Sequence, residues 1–309
     1  MINLSVSIVN HDNRPMLDRC LASVIAHTHD SHEILVVDNA SPDGSADMVR
    51  DKYPGVRLIC NSERKGFSAN HNQALAAARG RYFVILNNDT ELKPYCLDSM
   101  FAFMEKNPGA GALGPRILNP GGSLQQSVFR MPSLLALFSN AFFLGRIFPR
   151  VRSLAGYGDW PHDALSRVPF VGGACIMFPT DLLRALGGLD ERFFMYVEDA
   201  DICRRVRAAG REVVFFPDAE LIHYGGGAVP QQSEASVRMR LESLHAYFRK
   251  HNGRAGEALA GVLVRAGAAN RVVLFELARR FCAEEKREEL ARRQEPFRHT
   301  LAWYRGRGC

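Results

Sequence analysis

Three carboxylates, Glu198, Asp199 and Asp201, crowd the start of an apolar helical pattern that follows Gly172-Gly173-Ala174-Cys175 and the run Phe193-Phe194-Met195-Tyr196-Val197. Ile202, Cys203 and Val206 supply the apolar face, and Gly210 closes it where a helix C′ glycine belongs. Asp199 leads that face, so it is expected at the N-terminal rim of the packed side. A carboxylate held there can take a proton from a hydroxyl. It can equally be a capping acid, because acids suit helix N-termini through hydrogen bonding and the helix dipole. Asp201 precedes Arg205 by four residues and is expected to form a surface ion pair with it.

The elements that must position these acids begin with Val6, Ile8 and Val9, a short apolar strand, followed after Pro15 by a helical pattern through Leu17, Cys20, Leu21 and Val24. Ile34-Leu35-Val36-Val37 then runs into the turn-rich Asp38-Asn39-Ala40-Ser41-Pro42-Asp43-Gly44-Ser45, with Ser45 expected to cap a helix through Met48 and Val49. Val56 to Cys60 reads as a third strand, Ser68 to Ala78 as a third helix and Tyr82 to Leu86 as a fourth strand. Strands alternating with helices imply an α/β protein whose mostly parallel sheet carries helices on both faces. Ligands bind at the carboxyl ends of such strands, which here carry Asn10-His11, Asp38-Asn39, Asn61 and Asn87-Asn88-Asp89.

No G-x-G-x-x-G follows a strand and no G-x-x-x-x-G-K-[ST] occurs, which removes the dehydrogenase and P-loop readings. Asp89, at the end of a fully apolar strand, is a sensible anchor for a hard divalent cation that clamps a diphosphate, although Asn and Asp also fill turns for backbone reasons. His223 ends another apolar run before Tyr224-Gly225-Gly226-Gly227 and is either a hydrogen-bonded structural histidine or a second ligand.

Together these motifs resemble the inverting nucleotide-sugar glycosyltransferases of family 2, with the Rossmann-like GT-A fold, and their rhamnosyltransferase-like bacterial branch. The residues that carry the resemblance are Val36 to Ser45, Gly66-Phe67-Ser68-Ala69-Asn70-His71-Asn72, Leu86-Asn87-Asn88-Asp89-Thr90, and the Gly172 to Arg205 block with His223 beyond it. The resemblance implies that Asp38 reads the nucleotide base, which packs against Val9, Asn10 and His11. Asn39, Gly66, Asn70, Asn87 and Asn88 would complete the nucleotide-sugar site. Asp89 matches the last acid of the family's D-x-D motif and would ligate Mg²⁺ or Mn²⁺ with His223. Asp199 matches the general base, and Glu198 would orient the acceptor hydroxyl or its loop. Asn87 departs from the pattern, standing where many relatives carry an acid, so fewer charged ligands are left for the cation. That departure keeps an inactive nucleotide-sugar-binding partner subunit in view as the alternative function. An unrelated nucleotidyltransferase would need a basic phosphate loop near the first strand, and Arg14 alone does not make one.

Inverting transfer suits these residue types. The acceptor attacks directly, so the site needs a base and charge stabilisation for the leaving diphosphate but no enzyme nucleophile, and no Ser, Cys or Lys nucleophile motif is visible. The donor is expected to be dTDP-L-rhamnose, with UDP-hexose or UDP-galactofuranose next. The acceptor is expected to be a glycan or polyprenyl-diphosphate-linked intermediate of cell-envelope polysaccharide synthesis.

At 309 residues, with 47% hydrophobic residues, the chain can bury a large core. Seven widely separated cysteines without a C-x-x-C pair read as reduced thiols of a cytoplasmic protein. Met1 leads directly toward the first strand without a signal-peptide pattern, and no uninterrupted apolar run reaches about 18 residues, so no membrane span is expected. Leu134 to Phe148, flanked by Arg130, Arg146, Arg150 and Arg152, reads as an interfacial helix or as one buried on the sheet. The net charge of +6 and the basic C-terminal stretch favour peripheral contact with anionic lipid on the inner face of the membrane, or with a diphosphate acceptor. Nucleic acid is not an expected partner, since no aromatic-plus-basic motif accompanies the charge. The expected organisation is a GT-A domain over 1–230, with a nucleotide-sugar half at 1–114 and an acceptor half at 115–230, then a helical basic extension at 231–309. A hairpin is expected at Pro120-Gly121-Gly122.

Overall fold

The computed structural model describes residues 2–148, 150–151, 162–225 and 233–306; Arg152, Gly226, Gly227 and Cys309 lie outside them. The chain forms two compact units. Among the described residues the first comprises 2–131 and 162–225, the second 132–151 and 233–306.

The first unit opens with β1 (Leu4–Asn10), α1 (Arg14–His27), β2 (His32–Asp38), α2 (Ser45–Lys52), β3 (Arg57–Cys60), α3 (Phe67–Ala77) and β4 (Tyr82–Asn87). Period-two alternation sends Leu4, Val6 and Ile8 into one core with Leu17, Leu21 and Val24 of α1 and with Val36, Val84 and Leu86 of the neighbouring strands. Pro15 sits in the first turn of α1, where its missing N–H costs nothing. Ser45 does not cap α2. It is the first helical residue after Gly44 (φ 76°), and Asp43 Oδ1 takes both its N–H (3.0 Å) and its O–H (2.5 Å).

The chain continues through β5 (Thr90–Leu92), α4 (Cys96–Lys106), β6 (Ala110–Leu118), β7 (Leu124–Gln125), β8 (Val128–Phe129), α5 (Leu134–Ala141), α6 (Leu144–Ile147), β9 (Ser166–Arg167), β10 (Phe170–Val171), β11 (Cys175–Pro179), α7 (Thr180–Ala185), α8 (Glu198–Ala208) and β12 (Glu212–His223). The main sheet runs β3-β2-β1-β4-β11-β6-β12-β5. β1 is parallel to β2 and β4, β2 to β3, and β6 to β12. Antiparallel β11 bridges these two parallel groups, pairing with both β4 and β6. The expected break near residue 114 falls inside β6, which carries the chain on to Leu118. The hairpin at Pro120-Gly121-Gly122 joins β6 to β7, with the N–H of Gly122 bonded to Asn119 O (2.8 Å) and that of Asn119 to Ser123 O (2.8 Å).

In the second unit α5 packs on α9 (Glu234–Phe281), where Asn270 Nδ2 donates to Ala141 O (3.0 Å). Thus 134–148, expected within the acceptor half, groups with the C-terminal helices. Gly253, at φ 71° and ψ −174°, divides α9 into two helical segments. α10 (Glu284–Gly306) lies along α9, with Tyr304 beside Val237 and Leu241, and His245 Nε2 bonded to the Tyr304 hydroxyl (2.8 Å). Leu137 and Ala141 are buried, whereas Leu135, Phe138, Phe142, Ile147 and Phe148 are exposed. α9 contains an 18-residue window of mean hydropathy 1.5, so by length and composition alone it could cross a membrane. Arg265, Asn270 and Arg271 interrupt the aliphatic stretch of α9, so it is not an unbroken apolar run.

Candidate active site

Parallel pairing aligns the polar ends of the first strands: Asn10 lies opposite Asp38, and Val9 opposite Asn87. The amides there bind one another. Asn10 Nδ2 donates to Asp38 Oδ1 (3.4 Å) and Ser41 Oγ (3.2 Å), and its Oδ1 accepts from Asn88 Nδ2 (2.7 Å). Asn39 Oδ1 accepts from the Lys65 N–H (2.8 Å) and from Asn61 Nδ2 (3.2 Å), which also donates to Asn70 Oδ1 (2.6 Å). His11 Nδ1 donates to Asn39 O (2.9 Å). Val9 and His11 are half-buried at the rim, while Asn10, Asp38, Asn39 and Asn70 are buried. The loops after β1 and β2 turn through left-handed residues, Asp12 (φ 52°) and Ala40 (φ 56°), a conformation uncommon outside glycine. Asp38 keeps lone pairs beyond those used by Asn10 and the Ser41 N–H, so it can accept from a base.

At the next strand end, β5 and β12 pair so that His223 lies opposite Thr90, and the Tyr224 N–H donates to Asp89 O (2.9 Å). This brings His223 Nε2 to 3.2 Å from Asp89 Oδ1 and 3.5 Å from Asn87 Nδ2. Two residues far apart in sequence thereby converge on one point.

The acid pair reaches the same strand end through β11. The Asn87 N–H donates to Ala174 O (2.8 Å), and the N–H of the adjacent Gly173 donates to Asp199 Oδ2 (3.2 Å). A Cβ on Gly172 would stand 2.7 Å from a Phe129 ring atom. The 188–194 segment is held by the motif on α3. Asn72 pairs with both backbone groups of Leu189 (2.8 and 2.9 Å), and Gly66 lets the Phe194 backbone approach to where a Cβ would be only 3.0 Å away. α8 then starts after Tyr196 (φ 72°) and Val197 (φ 69°), consecutive left-handed residues of which one is β-branched.

Burial raises the pKa of both acids. Glu198 is raised further by the neighbouring Asp199 charge, and its Oε2 is buried with no hydrogen-bond partner among the described residues. Asp199 is raised by burial but held back by the N–H groups of Ala200 (2.7 Å) and Gly173 (3.2 Å), which favour its ionised form. The pair therefore ionises first at Asp199, leaving Glu198 protonated beside it. Asp201 pairs with Arg205 Nε (2.8 Å) as expected, but the pair is not on the surface: Asp201 is 0% exposed. Arg205 also binds the carbonyls of Leu186 (2.8 Å) and Gly188 (2.9 Å), so it anchors the loop behind the acids.

Gly173 and Phe194 enter the sequence reading only as members of motif runs with no role of their own, and Gln125 does not enter it. The first two act through backbone groups, which residue type does not reveal. Gln125 lies on a two-residue strand, and its Oε1 is 2.6 Å from His223 Nδ1.

The chain is 29% identical over 263 residues to N-acetylglucosaminyl-diphospho-decaprenol L-rhamnosyltransferase of Mycobacterium tuberculosis, covering 81% of this chain and 85% of that one. It is 23% identical to rhamnosyltransferase WbbL of Escherichia coli, covering 79% and 92%. The mannosyltransferase PcManGT from Pyrobaculum calidifontis, solved in complex with GDP-Man and Mn²⁺, superposes with a TM-score of 0.57 at 19% identity over 97% of this chain and 86% of that one. The fold is therefore that of the GT-A glycosyltransferases, as the resemblance implied. The family model described as glycosyl transferase family 2 matches residues 5–164, from β1 through the amide web and beyond the hairpin. With that match covering more than half of its 309 residues, the chain belongs to glycosyl transferase family 2.

Proposed function

We propose that this chain transfers a rhamnosyl residue from dTDP-L-rhamnose, with UDP-hexose or UDP-galactofuranose as the next donors, to a hydroxyl of a glycan or polyprenyl-diphosphate-linked acceptor, inverting the anomeric centre. The observation that carries this reading is the link from Asn87 through Ala174 and Gly173 to Asp199, which sets a half-buried acid beside the strand ends. The rhamnosyltransferase relatives put rhamnose first among donors, and the lipid-linked acceptor in one relative's name supports the acceptor class. In the transfer, ionised Asp199 takes the acceptor hydroxyl proton and the acceptor oxygen bonds to the anomeric carbon. The bond to the diphosphate oxygen breaks in the same displacement, its electron pair leaving with the nucleoside diphosphate. Protonated Glu198 can donate a hydrogen bond to the acceptor or to Asp199. General-base transfer of this kind contributes about 10² to 10⁴ in rate.

Asp89 and His223 fit Mg²⁺ or Mn²⁺: one carboxylate oxygen and one imidazole nitrogen converge within 3.2 Å. Among the described residues no group of three His, Cys, Asp or Glu completes a protein cage, which suits an ion that keeps phosphate and water ligands. Bound there, the cation would supply positive charge to the departing diphosphate. The test is a panel of nucleotide sugars, following release of nucleoside diphosphate with and without Mg²⁺ or Mn²⁺. Asp89→Ala and His223→Ala should each weaken metal-dependent donor binding, and the double variant should be little worse than the worse single, since both act through one ion. Full donor affinity and activity in excess chelator would overturn the cation role.

Contact with an anionic membrane surface is proposed for the second unit, on the exposed Phe138, Phe142, Ile147 and Phe148 beside Arg146 and Arg150. Surface contact suits α9 better than a span. Only 28% of its apolar window is buried, yet α9 carries Arg265 and Arg271, and α10 packed along it brings Gln294 and Arg298 onto Glu276. Each basic residue near the surface adds about 1 kcal/mol that salt removes, and buried aromatic side chains add a part that salt does not. Protein should sediment with anionic liposomes at low salt, and replacing Phe142 and Phe138 with Ser should shrink the salt-resistant fraction. Wild-type protein left in the supernatant at low salt would end this reading.

A further inference from the structure

The side chain of Gln125 can sit in only one orientation. Its amide nitrogen lies 2.9 Å from Asn119 Oδ1 and 3.4 Å from His223 O, and a backbone carbonyl can only accept. The amide oxygen therefore faces His223 Nδ1 at 2.6 Å, and Nδ1 must carry the proton. In the neutral ring this leaves Nε2 with a bare lone pair, 3.2 Å from a carboxylate oxygen of Asp89. Two lone pairs at that distance repel unless a cation or a second proton lies between them. The Asn87 Nδ2 group, at 3.5 Å from Nε2, is too distant to satisfy it fully.

We propose that Gln125 is the positioning residue of the cation site: it fixes the Nδ1–H tautomer and the ring angle of His223, so that Nε2 is presented as a ligand beside Asp89. The inference rests on the assignment of Asp89 and His223 as ligands given above. The β6–β7 hairpin supplies the rigidity, because Ile117 pairs with Gln125 and Asn119 holds the far side of its amide. Partners of this kind behind a ligating histidine typically change metal affinity by about 10- to 100-fold when removed.

Mn²⁺ binding to the full chain, alone and with dTDP or UDP, is to be followed by electron paramagnetic resonance for wild type, Gln125→Leu, Gln125→Glu, His223→Ala and Asp89→Ala. Gln125→Leu should weaken Mn²⁺ by about 10- to 100-fold. Gln125→Glu keeps an acceptor toward Nδ1 but turns its second oxygen on Asn119 Oδ1 and His223 O, so it should recover part of the affinity lost in Gln125→Leu. Nitrogen-15 spectra of wild-type His223 without metal should show the proton on Nδ1, a readout that needs no variant to fold. If His223→Ala and Asp89→Ala bind Mn²⁺ as wild type does, the ligand assignment falls. If those two lose Mn²⁺ while Gln125→Leu retains it, or if wild-type His223 carries its proton on Nε2, the role of Gln125 alone is overturned.

Discussion

At the ends of β1 to β4, Asn10 binds Asn88 while Asn61 joins Asn39 to Asn70, whereas at the start of α8 two carboxylates sit together, one with a buried oxygen that has no hydrogen-bond partner among the described residues. The strand ends, proposed as the nucleotide cradle, use their polar groups to fix shape, because a satisfied buried network is rigid. The helix start does the reverse, holding like charges, left-handed Tyr196 and Val197, and raised pKa values in one turn. Such an arrangement persists only because Asn72, Gly66 and Arg205 hold the preceding loop from outside. The acid proposed as the base therefore sits where the fold is least relaxed.

Asp201 provides the largest expected break in this contrast. It lies in the same turn as Asp199 yet belongs with the satisfied groups, so Asp201→Asn should cost about 3 kcal/mol of stability or more by stranding Arg205. Denaturant unfolding measures that loss, and activity per folded molecule should stay near wild type. A stable but inactive Asp201→Asn protein would show the two acids to be reversed. Next, Asp199→Asn should lower turnover by about 10² or more while leaving donor affinity intact, which steady-state kinetics and calorimetry separate. Near wild-type turnover on a true acceptor would sink the assignment. In the cradle, Asn61→Ala strips a donor from both Asn39 and Asn70 and should cost about 1–3 kcal/mol, shared between stability and donor binding, with turnover of bound donor unchanged.

The smallest effect is a slope. Glu198 has a folded pKa raised above its ordinary 4.5 by burial and by Asp199, so the native state holds a proton that the unfolded chain has released. Its contribution to stability is present below the ordinary value and fades as pH rises through the raised one. Glu198→Gln keeps the shape without the titration, so its melting temperature should gain on wild type as pH is raised above 4.5. Parallel melting curves for the two proteins across that range would remove the raised pKa.

The sequence shows the strand ends because apolar runs stop at Asn10, Asp38, Asn61 and Asn87, and a run that stops at a polar residue is visible without coordinates. Asp89 and His223 are each visible as run ends, but their meeting depends on β5 pairing with β12, a long-range register that local pattern cannot supply. The spacing of Asp201 and Arg205 gives the pair but not its burial, which comes from carbonyls at Leu186 and Gly188. Gln125 is silent because a glutamine near a turn looks like any solvated residue until His223 arrives beside it. The grouping of 132–151 with α9 and α10 is likewise a matter of tertiary contact, not of composition.

Between Leu118 and Cys175 the chain makes a long excursion and then returns to a strand that touches the one it left, with Met177 opposite Leu113. Its β7 and β9 pair into the main sheet, and lengthening a flexible connection between such elements costs only about 0.6 kcal/mol per doubling. The two acids proposed for the chemistry stand outside it, Asp199 on α8 and Asp89 on the turn between β4 and β5, though Gly173 within it donates to Asp199 and Gln125 within it braces His223 beside Asp89. Variation that keeps the Gln125 and Gly173 contacts can therefore rewrite the rest of the excursion while Asp89 and Asp199 keep their places. A chimera that carries this segment from a rhamnosyltransferase relative, with Gln125 and Gly172-Gly173 retained, should fold and keep its donor.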